Sequence, residues 1–193
     1  MYMTVLKMTR SSILSASTLL DINSTNAVHK WLTNQQDTHR ADGKILYKII
    51  NKKVEIYLYI QSKDKFNCTN IEQYGFVLIK EMNINITSDG IYDFDIQTFP
   101  NRTIENGKRY FIDNINDRYI WLQKQFKKYN IELLECMEYN VSNIIFDKDV
   151  PKNISTASYR GKIYINDVND ANNLLENGLG RFKNYGLGLL LIK

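Results

Sequence analysis

Strand-forming stretches broken by single helices run along this chain in one order, and that order occurs twice. In the first half, Met1–Thr9 alternates, with Tyr2, Thr4, Leu6 and Met8 on one face and Met3, Val5 and Lys7 on the other. Ser24-Thr25 can N-cap a helix running to about Gln36, and a polar turn, 37–43, follows. Two strands come next, Lys44–Asn51 and Lys53–Gln61, joined as a hairpin around Asn51-Lys52. A helical piece around Cys68–Gln73 and a strand Gly75–Met82 complete the half. The order is strand, helix, strand, strand, helix, strand.

The second half begins after the polar stretch 83–90. Ile91–Phe99 sets Tyr92, Phe94 and Ile96 against Asp93, Asp95 and Gln97, the pattern of a half-buried strand. Gly107–Ile112 forms another strand. Asp113 or Asn114 caps a helix whose stripe is Ile115, Tyr119, Leu122, Phe126 and Tyr129. Strands at Ile131–Tyr139, Ile144–Phe146 and Gly161–Val168, a helix at Asp170–Asn177 and a strand at Tyr185–Ile192 follow. The expectation is an α+β chain of two tandem βαββαβ units, 1–85 and 86–193, the second with an extra hairpin. No literal repeat is present, so the duplication concerns topology alone.

Composition narrows the function classes. With 44% hydrophobic and 24% charged residues, a packed core forms and general disorder is excluded. No stretch approaches the ~20 apolar residues of a membrane helix. Ser11–Leu20 is too short and Ser-rich to span, and no cleavage pattern follows it, so neither a membrane partner nor a signal peptide is expected. Two cysteines, Cys68 and Cys136, make neither a disulfide framework nor a zinc site and suit a reducing cytoplasm. The net charge is +4, and it lies unevenly: residues 1–85 carry 11 basic and 7 acidic side chains, residues 86–193 carry 14 of each. A mild excess fits a polyanion-binding surface and a mixed solvated surface alike. Asp93 and Asp95 share a strand face, but nothing nearby completes a metal shell, so no metal and no cofactor is expected.

Near the end, Gly178, Gly180, Gly186 and Gly188 place four of the nine glycines within eleven residues, with Arg181 and Lys183 between them. Such a segment can cradle phosphate on backbone amides or make a tight helix-to-strand connection. The whole pattern resembles CRISPR repeat-processing endoribonucleases: Gly-x-Gly, five residues, Gly-x-Gly, then an apolar strand. Gly161-Lys-Ile-Tyr-Ile-Asn-Asp167, followed by Leu174-Leu175 and Asn177-Gly178, is similar to the CasE (Cse3) branch. So are the opening Met1-Tyr2-Met3-Thr4 and the helix segment Ile120-Trp121-Leu122-Gln123-Lys124. The resemblance implies two ferredoxin-like, RNA-recognition-type domains and a CRISPR repeat hairpin as partner. It also implies cutting at the 3′ base of that hairpin and retention in the type I-E Cascade complex, with no small-molecule substrate.

RNA carries its own nucleophile, so such cutting requires no metal. The 2′-hydroxyl attacks phosphorus, leaving a 2′,3′-cyclic phosphate and a 5′-hydroxyl. The protein aligns the groups, moves two protons and stabilises charge. Histidine suits proton transfer because its ordinary pKa is ~6.5. Only His29 and His39 exist. His29 shares a polar helix stripe with Asn26, Lys30 and Thr33, opposite Val28, Trp31 and Leu32. Spacing alone fits an ordinary exposed histidine; the resemblance makes His29 catalytic, with Lys30 a candidate for stabilising the transition-state charge. The family often has a tyrosine three residues before the histidine. Here that residue is Asn26, which leaves the second proton-transfer group unassigned and points to slow, single-turnover cutting. His39 matches no family position.

For binding, the resemblance brings in Lys152, in an irregular stretch before Ser155, besides Arg10 and Ser11. Lys44, Lys48, Lys52 and Lys53 form a basic cluster, and Arg118, Lys124, Lys127 and Lys128 lie along the long helix, where a solvated face is an equal reading. Asp95 and Gln97 occupy a strand on which relatives often carry cations, so that face departs from the pattern. A non-catalytic hairpin-binding subunit of the same fold, and a purely structural ribonucleoprotein subunit, are the alternatives.

Overall fold

The computed structural model describes residues 1–9, 20, 24–36, 45–104, 107–146 and 152–193. The chain forms two compact units, Met1–Asn85 with Asn184–Gly186, and Ile86–Lys183 with Leu187–Lys193. Arg10, Ser11, the polar turn 37–43 with His39, and Lys44 lie outside the described residues.

In the first unit, β1 (Tyr2–Thr9), α1 (Thr25–Gln35), β2 (Leu46–Asn51), β3 (Glu55–Ser62) and β4 (Phe76–Asn83) build an antiparallel sheet in the order β2-β3-β1-β4. Asn51 pairs with Ile56, and the Lys52 N–H donates to the Glu55 carbonyl at 2.8 Å, so the hairpin turns on Lys53-Val54. Ser24 caps α1 by accepting from the Ala27 N–H. Val28, Trp31 and Leu32, at helical spacing, enter the same buried cluster as Leu6, Met8, Leu58 and Ile60. The Trp31 ring lies 6.0, 5.4 and 5.3 Å from the rings of Phe66, Tyr74 and Phe76. The helix expected at Cys68–Gln73 is instead a four-residue 3-10 turn, Ile71–Tyr74. Asn70 and Gly75 flank it with φ of 58° and 78°, and a left-handed residue at each end stops a helix from extending.

The second unit contains β5 (Gly90–Thr98), a small hairpin β6 (Asn101–Thr103) and β7 (Arg109–Phe111), α2 (Ile115–Lys127), β8 (Ile131–Phe146), β9 (Lys152–Ile165), α3 (Val168–Asn177) and β10 (Leu190–Ile192). Its main sheet runs β10-β5-β9-β8. Leaving the hairpin aside, both sheets have one order: the last strand, then the first, the third and the second. That is the ferredoxin-like arrangement, written twice.

Several boundaries differ from the sequence expectation. The strand expected at Gly107–Ile112 is only Arg109–Phe111, and Gly161–Val168 is the tail of β9, which stops at Ile165 before Val168 opens α3. Ile131–Tyr139 and Ile144–Phe146 are one continuous strand, because register shifts between Leu133 and Glu135 and between Glu138 and Asn140 absorb the broken alternation. Lys152 is not in an irregular stretch: it opens β9 opposite Phe146. The final strand is only Leu190–Ile192, since Lys183–Tyr185 winds into a 3-10 turn.

The face of α2 also differs. Ile115 and Tyr119 are exposed, while Arg118, at 6% exposure, joins Leu122 and Phe126 in the buried stripe. Its guanidinium forms two hydrogen bonds to the Glu138 carboxylate, 2.7 and 2.5 Å, and donates to the carbonyls of Ile112 and Asp113. Hydrogen bonding to Glu138 raises the Arg118 pKa further above its ordinary value. Arg118 is therefore a structural cation and is not available to RNA.

Candidate active site

Helix α1 carries the candidate proton-transfer group. His29 is half-buried, with Nδ1 on the shielded side of the ring; Lys30 is exposed and Asn26 is half-buried. The His29 and Lys30 carbonyls both accept from the Thr33 hydroxyl, at 3.1 and 2.9 Å, which fixes the turn that follows. Thr25 and His29 stand one turn apart, about 6 Å along the axis. The Thr25 carbonyl accepts a 2.8 Å hydrogen bond from the Tyr47 hydroxyl of β2. Tyr47 is fully buried, and that burial pushes its phenol far above the ordinary tyrosine range, so it serves as a neutral strut.

The same ring receives the glycine segment. A Cβ on Gly186 would lie 2.9 Å from the Tyr47 ring, and its φ is +83°. Only glycine fits there without displacing the strut. Within one unit, then, Tyr47 touches both the glycine segment and the first turn of the histidine helix.

In the second unit the other glycines have structural work as well. Gly178 ends α3, its N–H donating to the Leu174 carbonyl at 2.8 Å. Gly188 sits at φ +79°, where a Cβ would come within 2.3 Å of the Leu179 carbonyl. Its N–H donates to the Gln97 carbonyl, and its own carbonyl accepts from Leu179, each at 2.8 Å. Arg181 is exposed, whereas the Lys183 ammonium turns back onto the Asn177 carbonyl at 2.7 Å.

The basic cluster of the first unit divides. Lys52 and Lys53 are exposed at the β2–β3 turn, with the Lys52 ammonium 4.6 Å from the centre of the Tyr57 ring. Lys48 is 3% exposed, because its position on β2 is covered, and it is removed from the candidate RNA surface. Asp95 accepts from the Tyr139 hydroxyl at 3.2 Å. Among the described residues no group of three or more His, Cys, Asp or Glu side chains could hold a metal. None of the described helices is long and apolar enough to cross a membrane.

A cleft of about 310 Å³ opens in the second unit beside Gly178–Lys183, lined also by Asn101, Arg109, Trp121 and Lys128. The sequence points to its glycine side and to Trp121 and Lys128 of the long helix, but not to Asn101 and Arg109. The hairpin β6–β7 and the outer turn of α2 are brought there by tertiary structure alone.

The model of the CRISPR associated protein family matches residues 1–193. The chain belongs to the CRISPR-associated protein family. No curated protein matches it by sequence. Among solved structures, the CRISPR endoribonuclease Cse3 bound to a 19-nucleotide RNA has a TM-score of 0.86 at 15% identity, over 100% of both chains. Cse3 of Thermus thermophilus, bound to an RNA representing a pre-cleavage complex, gives 0.82 at 15% identity over 100% of both. A chain of a CRISPR RNA-guided surveillance complex gives 0.74 at 16%, covering 100% of this family member and 98% of that chain. At such identity these likenesses establish a common fold, the tandem ferredoxin-like one.

Proposed function

We propose that this CRISPR-associated chain is a metal-independent endoribonuclease that cuts precursor CRISPR RNA at the 3′ base of the repeat hairpin. The observation that carries this reading is the half-buried His29 on α1, next to exposed Lys30 and one turn from the Tyr47 strut on which the glycine segment rests. The fold shared with RNA-bound Cse3 structures supports an RNA substrate.

In this reaction the His29 imidazole moves a proton at the 2′-oxygen or the leaving 5′-oxygen. Lys30 offsets charge on the phosphorane-like transition state. Asn26 donates a hydrogen bond to phosphate but has no phenol proton to give. With one acid–base group assigned, the turnover is slow and the product stays bound. Lys52, Lys53, Lys152 and Arg181 hold the hairpin phosphates beside the glycine segment, in which the Gly178 and Gly188 N–H groups are already spent within the protein. The fold shared with a surveillance-complex chain supports retention as a Cascade subunit in the cytoplasm.

The test is incubation with a labelled cognate repeat hairpin in EDTA. A single cut with a cyclic phosphate end is expected. Binding without any cut by the wild-type protein supports the non-catalytic subunit instead.

A further inference from the structure

The second unit is electrically balanced over its length, with 14 basic and 14 acidic side chains in 86–193. Its cleft is not. Arg109, Lys128 and Arg181 line it with Lys183, whose ammonium is held on the Asn177 carbonyl, and among the described residues no carboxylate does. A balanced surface that gathers three exposed cations, Arg109, Lys128 and Arg181, in one concavity suits an anion. The cleft is also aromatic: Trp121 and Tyr129, both half-buried, form part of its wall. A Cβ on Gly180 would sit 3.5 Å from the Trp121 indole, so the glycine places no side chain of its own against that edge of the ring.

Size then separates the possible polyanions. A volume of about 310 Å³ is at the small end of ligand clefts and admits a single nucleotide, not a helical groove. Bases of unpaired RNA stack on aromatic side chains while cations hold the adjoining phosphate. In the same wall Asn101 donates its amide N–H to the Phe99 carbonyl and Gln125 accepts from the Lys128 ammonium through Oε1, which leaves the Asn101 Oδ1 and the Gln125 Nε2 to meet a base edge. The geometry points to a subsite for one unpaired nucleotide of the RNA next to the hairpin, its base on Trp121 and its phosphate among Arg109, Lys128 and Arg181. This rests on the RNA-processing reading above and extends it from the hairpin to its single-stranded flank.

The experiment uses the full chain and three RNAs with a 2′-deoxy nucleotide at the cleavage position: the bare hairpin, and the hairpin with five unpaired nucleotides at its 5′ or its 3′ end. Stacking of one base is worth on the order of tenfold in affinity. One extension is expected to tighten binding about tenfold over the bare hairpin. Trp121→Ala brings that ratio to about one, Lys128→Gln lowers it severalfold, and Trp121→Phe, which keeps a ring, retains most of it. A ratio of one for both extensions in the wild type overturns the subsite, as does an unchanged ratio in Trp121→Ala. Uridine monophosphate is the competing source of the same chemistry; quenching of indole fluorescence by it, with no benefit from either extension, also overturns the RNA assignment. Failure of the nuclease reading looks different. A protein that never cuts but shows the ratio keeps the subsite, and one that binds no hairpin still supports it if pentauridylate quenches fluorescence in the wild type and not in Trp121→Phe.

Discussion

In the first unit a four-residue 3-10 turn stands between β3 and β4; in the second a ten-residue helix, α3, stands at the matching place between β9 and β10. Among the described residues the first unit has one α-helix, whose Trp31 meets Phe66, Tyr74 and Phe76. The second sheet has two helices, and its α2 buries a charged pair, Arg118 with Glu138. Both cores hold ring contacts, Phe94 with Phe126 in the second unit among them, and the second adds a neutralised ion pair. The difference matters for chemistry, because α1 carries half-buried His29 beside exposed Lys30, whereas α2 commits its central cation to structure.

The largest effect that sharpens this contrast is expected from Trp31→Ala. Removing a buried indole from an aromatic cluster costs about 4 kcal/mol. Hydrogen exchange should show lost protection in β1 and β3 with β5 and β9 spared; equal loss in both sheets breaks the two-core description. Next comes Glu138→Ala, which leaves Arg118 buried without its carboxylate and costs about 3 kcal/mol in urea unfolding. The double change Arg118→Met with Glu138→Leu should recover most of that loss, and a double variant as unstable as the single one contradicts the ion-pair account. Gly188→Ala follows at about 2 kcal/mol, since a methyl group meets the Leu179 carbonyl at a left-handed φ. The smallest effect concerns thiol chemistry and no stability. Burial pushes the Cys136 thiol up to about 11, so at pH 8 its thiolate is scarce. Alkylation should run on the order of a hundredfold slower than for an ordinary thiol and accelerate on unfolding or at higher pH. Fast labelling at pH 8 would show that the thiol is not shielded.

Much of the frame was legible because it depends on local periodicity. The alternation of 91–99 and the Ser24 cap with Val28, Trp31 and Leu32 behind it name their elements directly. What escaped has a tertiary cause. Arg118 reads as a surface cation until Glu138, twenty residues on, is known to face it. Lys48 reads as part of a basic cluster, yet its strand position is covered. Two bulges hide the unity of β8, and left-handed Asn70 and Gly75 cut short a stretch that looked helical. The candidate site divides the same way. His29, the glycine segment and the Trp121 helix are visible in the sequence, while the Tyr47 strut and the Arg109 side of the cleft come from chain-distant residues with no motif of their own.

The central claim is that the His29 imidazole moves a proton during RNA cutting. The most direct measurement is single-turnover cleavage of the cognate hairpin in EDTA by wild type and His29→Ala, with hairpin affinity measured alongside. The account predicts a rate loss of roughly 10²–10⁴-fold at unchanged affinity. Cleavage by His29→Ala at the wild-type rate would contradict it.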